Sequence, residues 1–393
     1  MLLDGRLIKK CTKAFIGGAV IIPIATVLFF SFANARAFGQ KEGTGSEWAS
    51  SVLEPFWTSS RMTGETAMFV QWPEEEVVTA RLLFAPTRIL KVTSANGATI
   101  YEEGRDYVWK AGSNVISIPP DSRIPVTTWA RLHPAKGAPM SLGESADGKS
   151  ALLYQEPGDF FQSLEVAVTY DHRKKGGGKV SQSAGKDLAR TVAKLHAKRL
   201  KLVVFGDSVS AGAGASGSFH APPNQPPYTE LVAAGLRKRY GADIDVTNLA
   251  EGGQDSTWAV KMAYKAAAQN PDLVIVGFGG NDATRRISAD SFKQNIQTVI
   301  DTIRKTAPNA DFILIATMTA NPDWPESDAN LCQQYRDALF SLAGPGVAVA
   351  DEFSIWQELV KNKKFLDLTA NGINHPNDFG HRVYAQVVLQ LLQ

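Results

Sequence analysis

One serine of this chain stands where a nucleophile could act. The stretch Val204-Phe205-Gly206-Asp207-Ser208-Val209-Ser210 ends an apolar run and turns at a glycine, so Ser208 falls just past the carboxyl end of a buried strand. A serine hydroxyl attacks a carbonyl only when a base takes its proton, so this reading requires a histidine on another loop at the same edge. Of the six histidines, His375 is the strongest base candidate. Pro376 and then Asn377 or Asp378 follow it as the opening of a helix, which would hold the ring at the helix entrance. His381 lies inside that helix and is expected to pack. His220 lies in the loop after the serine, and His133, His172 and His196 are expected at the surface. Taken alone, Gly-Asp-Ser equally describes a strand-ending turn.

The elements around these residues form two patterns. From residue 200 onward, short apolar runs without alternation occur at Leu200–Phe205, Ile244–Asn248, Leu273–Phe278, Phe312–Ala316 and Val347–Ala350, as expected of strands covered on both faces. Helical segments separate them near Tyr228–Tyr240, Ser256–Gln269, Ala289–Thr306, Ala329–Ala343 and Glu352–Lys361, and a last one runs from about Asn377 to Leu392. This alternation predicts an α/β unit over 200–393, a five-stranded parallel sheet between helices with its crevice at the carboxyl ends of the strands. Residues 47–172 read differently. Val77–Phe84, Ile89–Thr93, Val115–Ile118 and Leu164–Tyr170 are rich in β-branched and aromatic residues, and Asn96-Gly97 is a hairpin cue, so a small all-β sandwich or jelly-roll is expected. The charged, glycine-rich stretch Arg173 to Lys179 reads as a solvated linker, which with a lead-in helix fills 173–199.

Four short blocks lie in order on the ends of successive strands: Gly206-Asp207-Ser208, then Asn248-Leu249-Ala250-Glu251-Gly252-Gly253, then Gly279-Gly280-Asn281-Asp282, and finally His375-Pro376-Asn377. Together they resemble the SGNH, or GDSL-type, hydrolase family over about Lys201 to Gln393. The resemblance implies a flavodoxin-like three-layer αβα domain and a serine esterase without cofactor or metal. It also implies a nucleophile at Ser208, a base at His375, and an oxyanion hole drawn from the backbone of Ser208, the backbone of Gly253 and the side-chain amide of Asn281. Gly252 is the alternative to Gly253, since two adjacent glycines leave the register ambiguous by one. Fixed donors of this kind stabilise the charge that acyl transfer builds on a carbonyl oxygen.

The chain departs from that family at the acid. The usual aspartate three residues before the histidine is here Gly372. Asp367, eight residues before, could reach back, Asp378 follows three residues after, and a dyad oriented by a neutral acceptor remains open. Two other patterns lead elsewhere. Gly212-Ala213-Gly214-Ala215-Ser216-Gly217 matches a dinucleotide fingerprint but begins well past the strand end, and reads more simply as a mobile lip of the site. Asp207, Asp255 and Asp282 lack the histidine or cysteine spacing of a metal site.

Composition bounds the rest. A formal charge of +2 over 393 residues excludes the strong basic field of a nucleic-acid binder. Two cysteines, Cys11 and Cys332, give no expectation of an internal disulfide. Arg6, Lys9, Lys10 and Lys13 precede an uncharged run from Ala14 to Ala33, followed by small-x-small sites at Ala33-Asn34-Ala35 and Ala35-Arg36-Ala37. Residues 1–37 therefore read as a cleaved signal or an uncleaved anchor, and either places the remainder in the envelope or outside the cell. The expected function is release of ester groups, O-acetyl on a polysaccharide for preference, since the resemblance extends to two-domain carbohydrate acetylesterases. A lipase or thioesterase of the same family, or a non-catalytic carbohydrate-binding or envelope-assembly module on the same fold, are the alternatives. The expected partner is the ester substrate alone, with membrane contact only through the N-terminal segment.

Overall fold

The computed structural model describes residue 50 and residues 53–155, 158–173 and 185–393. Residues 1–37, with the expected signal or anchor, and most of the basic linker run lie outside the described residues. Among the described residues no helix is long and apolar enough to cross a membrane.

The second half is the α/β unit. Strands β11 (Arg199–Gly206), β12 (Asp243–Asn248), β13 (Leu273–Gly277), β14 (Asp311–Ala316) and β15 (Val347–Asp351) form one parallel sheet in the order β12-β11-β13-β14-β15. The central three strands are buried at nearly every residue, because helices cover both faces. On one face, Phe292, Ile296, Val299 and Ile303 of the helix Ala289–Thr306 pack over Val274, Phe312 and Leu314. On the other, Leu231, Leu236, Val383 and Val387 of the helices Tyr228–Tyr240 and Asp378–Gln390 pack over Leu202, Ile275 and Ile313.

The first half is β-rich. It contains β1 (Arg61–Gln71), β2 (Thr79–Arg81), β3 (Pro86–Ser94), β4 (Ile100–Tyr101), β5 (Val108–Trp109), β6 (Val115–Ser117), β7 (Val126–Thr128), β8 (Ser141–Leu142), β9 (Leu152–Leu153) and β10 (Glu165–His172). One five-stranded sheet runs β4-β3-β10-β1-β7, a three-stranded sheet runs β2-β6-β5, and β8 pairs with β9. The hairpin at Asn96-Gly97 joins β3 to β4, with Gly97 at a φ of +75°. The sequence patterning did not reveal β1, which lies between the central strand β10 and the edge strand β7 and pairs with both. Two histidines also differ from expectation: His172 is buried with its ring stacked 4.2 Å from Phe84, and His133 is half-buried against Trp129.

The two halves share a core. Phe56, Val168 and Tyr170 of the β-region belong to the same buried cluster as Phe379, Val383 and Val388 of the last helix, and the Phe56 and Phe379 rings lie 6.1 Å apart. Burial of this kind, at about 25 cal/mol per Å² of apolar surface, holds the β-region against the segment that carries His375.

Candidate active site

Strand β11 ends at Gly206 and the chain turns into the one-turn helix Ser208–Ala211, capped by Asp207, whose Oδ1 accepts from the Val209 amide at 3.1 Å. The turn is tight because β11 and β13 both end in glycine. A Cβ at Gly206 or at Gly277 would overlap the hydroxyl of Ser210, which instead reaches the Tyr228 hydroxyl at 2.8 Å. This packing aims Ser208 outward at the carboxyl edge of the sheet.

His375 arrives from the opposite end of the α/β unit, on the loop between the 3-10 turn Phe365–Asp367 and the helix Asp378–Gln390. Asn371 folds that loop, its Oδ1 accepting from the amides of Ile373, Asn374 and His375 at 3.0, 3.0 and 3.1 Å. The loop closes as a hairpin, with the Ala370 amide on the His375 carbonyl at 2.8 Å and the Asn377 amide on the Leu368 carbonyl at 2.9 Å. Ser208 Oγ lies 2.8 Å from His375 Nε2, within hydrogen-bond reach for proton transfer. Asn377 caps the last helix through the Gly380 amide, so the helix begins one residue after the cap and Pro376 precedes it.

The residues expected at the oxyanion hole lie on the neighbouring strand ends. Asn281 and Ser208 line one cavity of about 40 Å³, together with Thr317, Asn321, Trp324 and Cys332. Asn281 Nδ2 donates to the Gln254 carbonyl at 2.9 Å, which fixes the amide's direction and leaves its second hydrogen for a ligand. Gly253 has a φ of +75°, and its carbonyl accepts from Arg285 at 2.7 Å. Gly252, just before it, lies beside the serine, where a Cβ would make an ordinary contact 3.8 Å from the Ser208 Cβ.

The carboxylates beside the site have structural partners. Asp282 is buried and accepts from the Ser256 amide at 3.1 and 3.2 Å, and burial pushes its carboxyl up to about 6. Asp255 caps the helix Ser256–Ala267 and pairs with Arg285 at 2.8 Å. Burial raises Asp207 to about 7, against the opposing effects of the Val209 amide and His375. The Cys332 thiol on the cavity wall is pushed up to about 12 by burial, which makes it a poor nucleophile.

Asp367 does not take the part expected of a triad acid. Its Oδ1 accepts from the Met68 amide of β1 at 2.7 Å and its Oδ2 from the Lys364 amide at 2.9 Å, with Lys363 Nζ at 3.8 Å. Both oxygens are thus committed to the β-region and to the residue's own turn. Asp378 is likewise occupied, accepting from the Ser216 amide at 2.8 Å, and burial raises it to about 6. The glycine-rich run packs against the His375 loop and the last helix. Gly214 abuts the Pro376 carbonyl so closely that no Cβ fits, and His381 clamps the run from within the last helix. His381 Nδ1 accepts from the Tyr228 amide at 3.1 Å, so its proton sits on Nε2 and is donated to the Ala213 carbonyl at 2.9 Å. At the family's acid position, Gly372 has a φ of +77°, and a Cβ there would fall 2.6 Å from the ring of Phe161.

The α/β half of the chain has likenesses among known proteins. Residues 204–383 match the model of the GDSL-like lipase/acylhydrolase family, a span that leaves out the β-region. No curated protein matches the chain. Among solved structures, the chain is similar to a two-domain esterase active on acetylated mannans, with 20% identity, 55% of each chain covered and a TM-score of 0.44. It is also similar to a lipase from a goat rumen metagenome, with 15% identity, 48% of this chain and 96% of that one covered and a TM-score of 0.40. A psychrotrophic esterase from Pseudoalteromonas sp. matches at 16% identity over 48% of this chain and 94% of that one, with a TM-score of 0.37. Residues 204–383, the span that holds Ser208, Gly253, Asn281 and His375, are thus similar to the GDSL-like lipase/acylhydrolase family.

Proposed function

We propose that the protein is an exported serine esterase that removes O-acetyl groups from a carbohydrate. The observation that carries the reading is the 2.8 Å approach of Ser208 Oγ to His375 Nε2 at the mouth of a cavity that Asn281 also lines. As Ser208 Oγ attacks the ester carbonyl carbon, its proton passes to His375 Nε2. The carbonyl oxygen becomes an oxyanion, stabilised by the Asn281 amide and the backbone N–H groups of Ser208 and Gly253. Collapse of the tetrahedral intermediate breaks the bond to the alcohol, which leaves with the proton from His375. Water then attacks the acyl-serine with His375 again as base, releasing the acid and restoring Ser208.

The preference for acetyl rests on room. A cavity of about 40 Å³ holds only a few heavy atoms, since one water by this measure needs roughly 10–15 Å³. A small acyl group fits within this cavity, and a longer one would extend beyond it. Export is supported by the N-terminal basic and apolar pattern, and the carbohydrate by the company of an extra β-region.

A fluorophosphonate probe followed by peptide mapping tests the chemistry: the adduct is expected on Ser208, and Ser208→Ala is expected to abolish both labelling and acetate release from p-nitrophenyl acetate and acetylated mannan or xylan. Folded protein that neither labels nor releases acetate would reject the enzyme in favour of a binding module on this fold.

A further inference from the structure

The β-region meets the His375 loop through buried polar contacts that no aspect of the hydrolase chemistry calls for. Three points of the loop are held. At its start, Asp367 accepts the Met68 amide through its carboxylate and the Thr66 hydroxyl through its carbonyl. At its end, Asn377 Nδ2 donates to Thr66 Oγ1 at 3.1 Å and to Glu165 Oε1 at 2.8 Å. Beneath its middle, Phe161 fills the space that Gly372 leaves open. Lys363 closes the arrangement from inside, with no exposed surface, donating to the Thr66 and Arg81 carbonyls at 2.7 and 2.8 Å and pairing with Glu65 at 2.9 Å.

From this we infer that the β-region is a positioning element for the catalytic histidine, with Thr66 and Phe161 as its contact residues. Thr66 is the side chain that reaches both ends of the loop: its one hydroxyl donates to residue 367 and accepts from residue 377. Because the Asn377 amide bonds the Leu368 carbonyl across the hairpin, a shift of either end carries His375 with it. Serine-to-imidazole proton transfer demands close placement, and a misplacement of about 1 Å costs up to about 10²-fold in rate. A residue in a strand of another sheet thereby acts through His375 on the chemical step. In the resembled family an acid three residues before the histidine helps orient it; here that position is closed by Phe161 and the loop is braced from outside.

The inference rests on the Ser208–His375 reading, and the two are tested separately in the full chain. Fluorophosphonate labelling of the wild type comes first, and its absence ends both. Given labelling, Thr66→Val removes the hydroxyl while nearly keeping shape, and Thr66→Ser keeps the hydroxyl. Thr66→Val is expected to lower kcat on p-nitrophenyl acetate about 10-fold with KM within about twofold, and to slow labelling in parallel, whereas Thr66→Ser stays near wild type. A purely structural role would lower the melting temperature in both and leave kcat of the folded fraction unchanged, and that result overturns the inference. Should Thr66→Val not fold, Phe161→Leu is read for the same division between kcat and KM, and an unchanged kcat again overturns it.

Discussion

The two halves of the site are built by different means. The serine half is assembled within one sheet: Ser208, Gly253 and Asn281 follow β11, β12 and β13, neighbours in the sheet, and their bonds close over short spans such as Asn281 to Gln254 or Asp207 to Val209. The histidine half is assembled across the molecule. Asp367 is tied to Met68, 299 residues earlier, and Asn377 to Glu165, 212 residues earlier. In the first case topology alone brings the groups together, since parallel strands deliver their carboxyl ends to one edge. In the second, the docking of another region fixes them, and the site inherits its precision from that interface.

The largest effect is expected on the serine side. Asn281→Ala removes a donor oriented by Gln254 and exposed to the cavity that Ser208 lines. Loss of one oxyanion-hole donor lowers kcat by about 10²–10³-fold with little change in binding, so steady-state kinetics should show a fall in kcat at nearly constant KM. A variant within about threefold of wild type would mean that the amide serves only the Gln254 turn, and the serine half would be reduced to its nucleophile.

On the histidine side the matching test is to supply the acid of the resembled family. Gly372→Asp places a carboxyl three residues before His375, yet the backbone there has a φ of +77° and the new Cβ meets the Phe161 ring. Strain at such a φ and overpacking against a buried ring together cost roughly 2–4 kcal/mol. The expected outcome is a melting temperature lower by about 5–10 °C and reduced activity, measured by calorimetry and initial rates. A gain in activity would show that the histidine half can be built like the serine half, and that its dependence on the β-region is incidental.

The same division explains how much could be read from the sequence. Strand ends followed by short glycine-bearing blocks are local signals, so the positions of Ser208, Gly253 and Asn281 at one sheet edge are legible together with the five parallel strands and the helices between them. Strand β1 is not. Six consecutive residues of it, Ala67 among them, are buried on both faces, so period-2 alternation is missing, and the polar Glu65 and Thr66 in its middle argue against a core strand. Those residues make sense only beside Lys363 and Asp367, which no local pattern brings near. Asp367 was expected to serve the histidine for the same reason: a carboxylate close in sequence is visible, and its partner Met68 is not. His172 shows the inverse, a polar residue expected outside that the β-region buries against Phe84.

The smallest expected effect concerns Asp207, which adjoins Ser208 in the serine half. Burial raises its carboxyl from 3.8 to about 7 in the folded chain. A raised folded-state value means the native state binds the proton more tightly than the unfolded state does. Its stabilising contribution is therefore complete below about pH 3.8 and is lost progressively as pH rises through about 7. Asn in its place keeps the acceptor for the Val209 amide and has no charge to bury. Asp207→Asn should therefore match the wild type in thermal stability near pH 4 and exceed it by a few degrees near pH 8. The difference should grow between those values and be read by melting curves across the range. A variant less stable than wild type at pH 8 would mean that the charge of Asp207 is held favourably by His375. The two halves of the site would then be coupled electrostatically as well as by the proton they share.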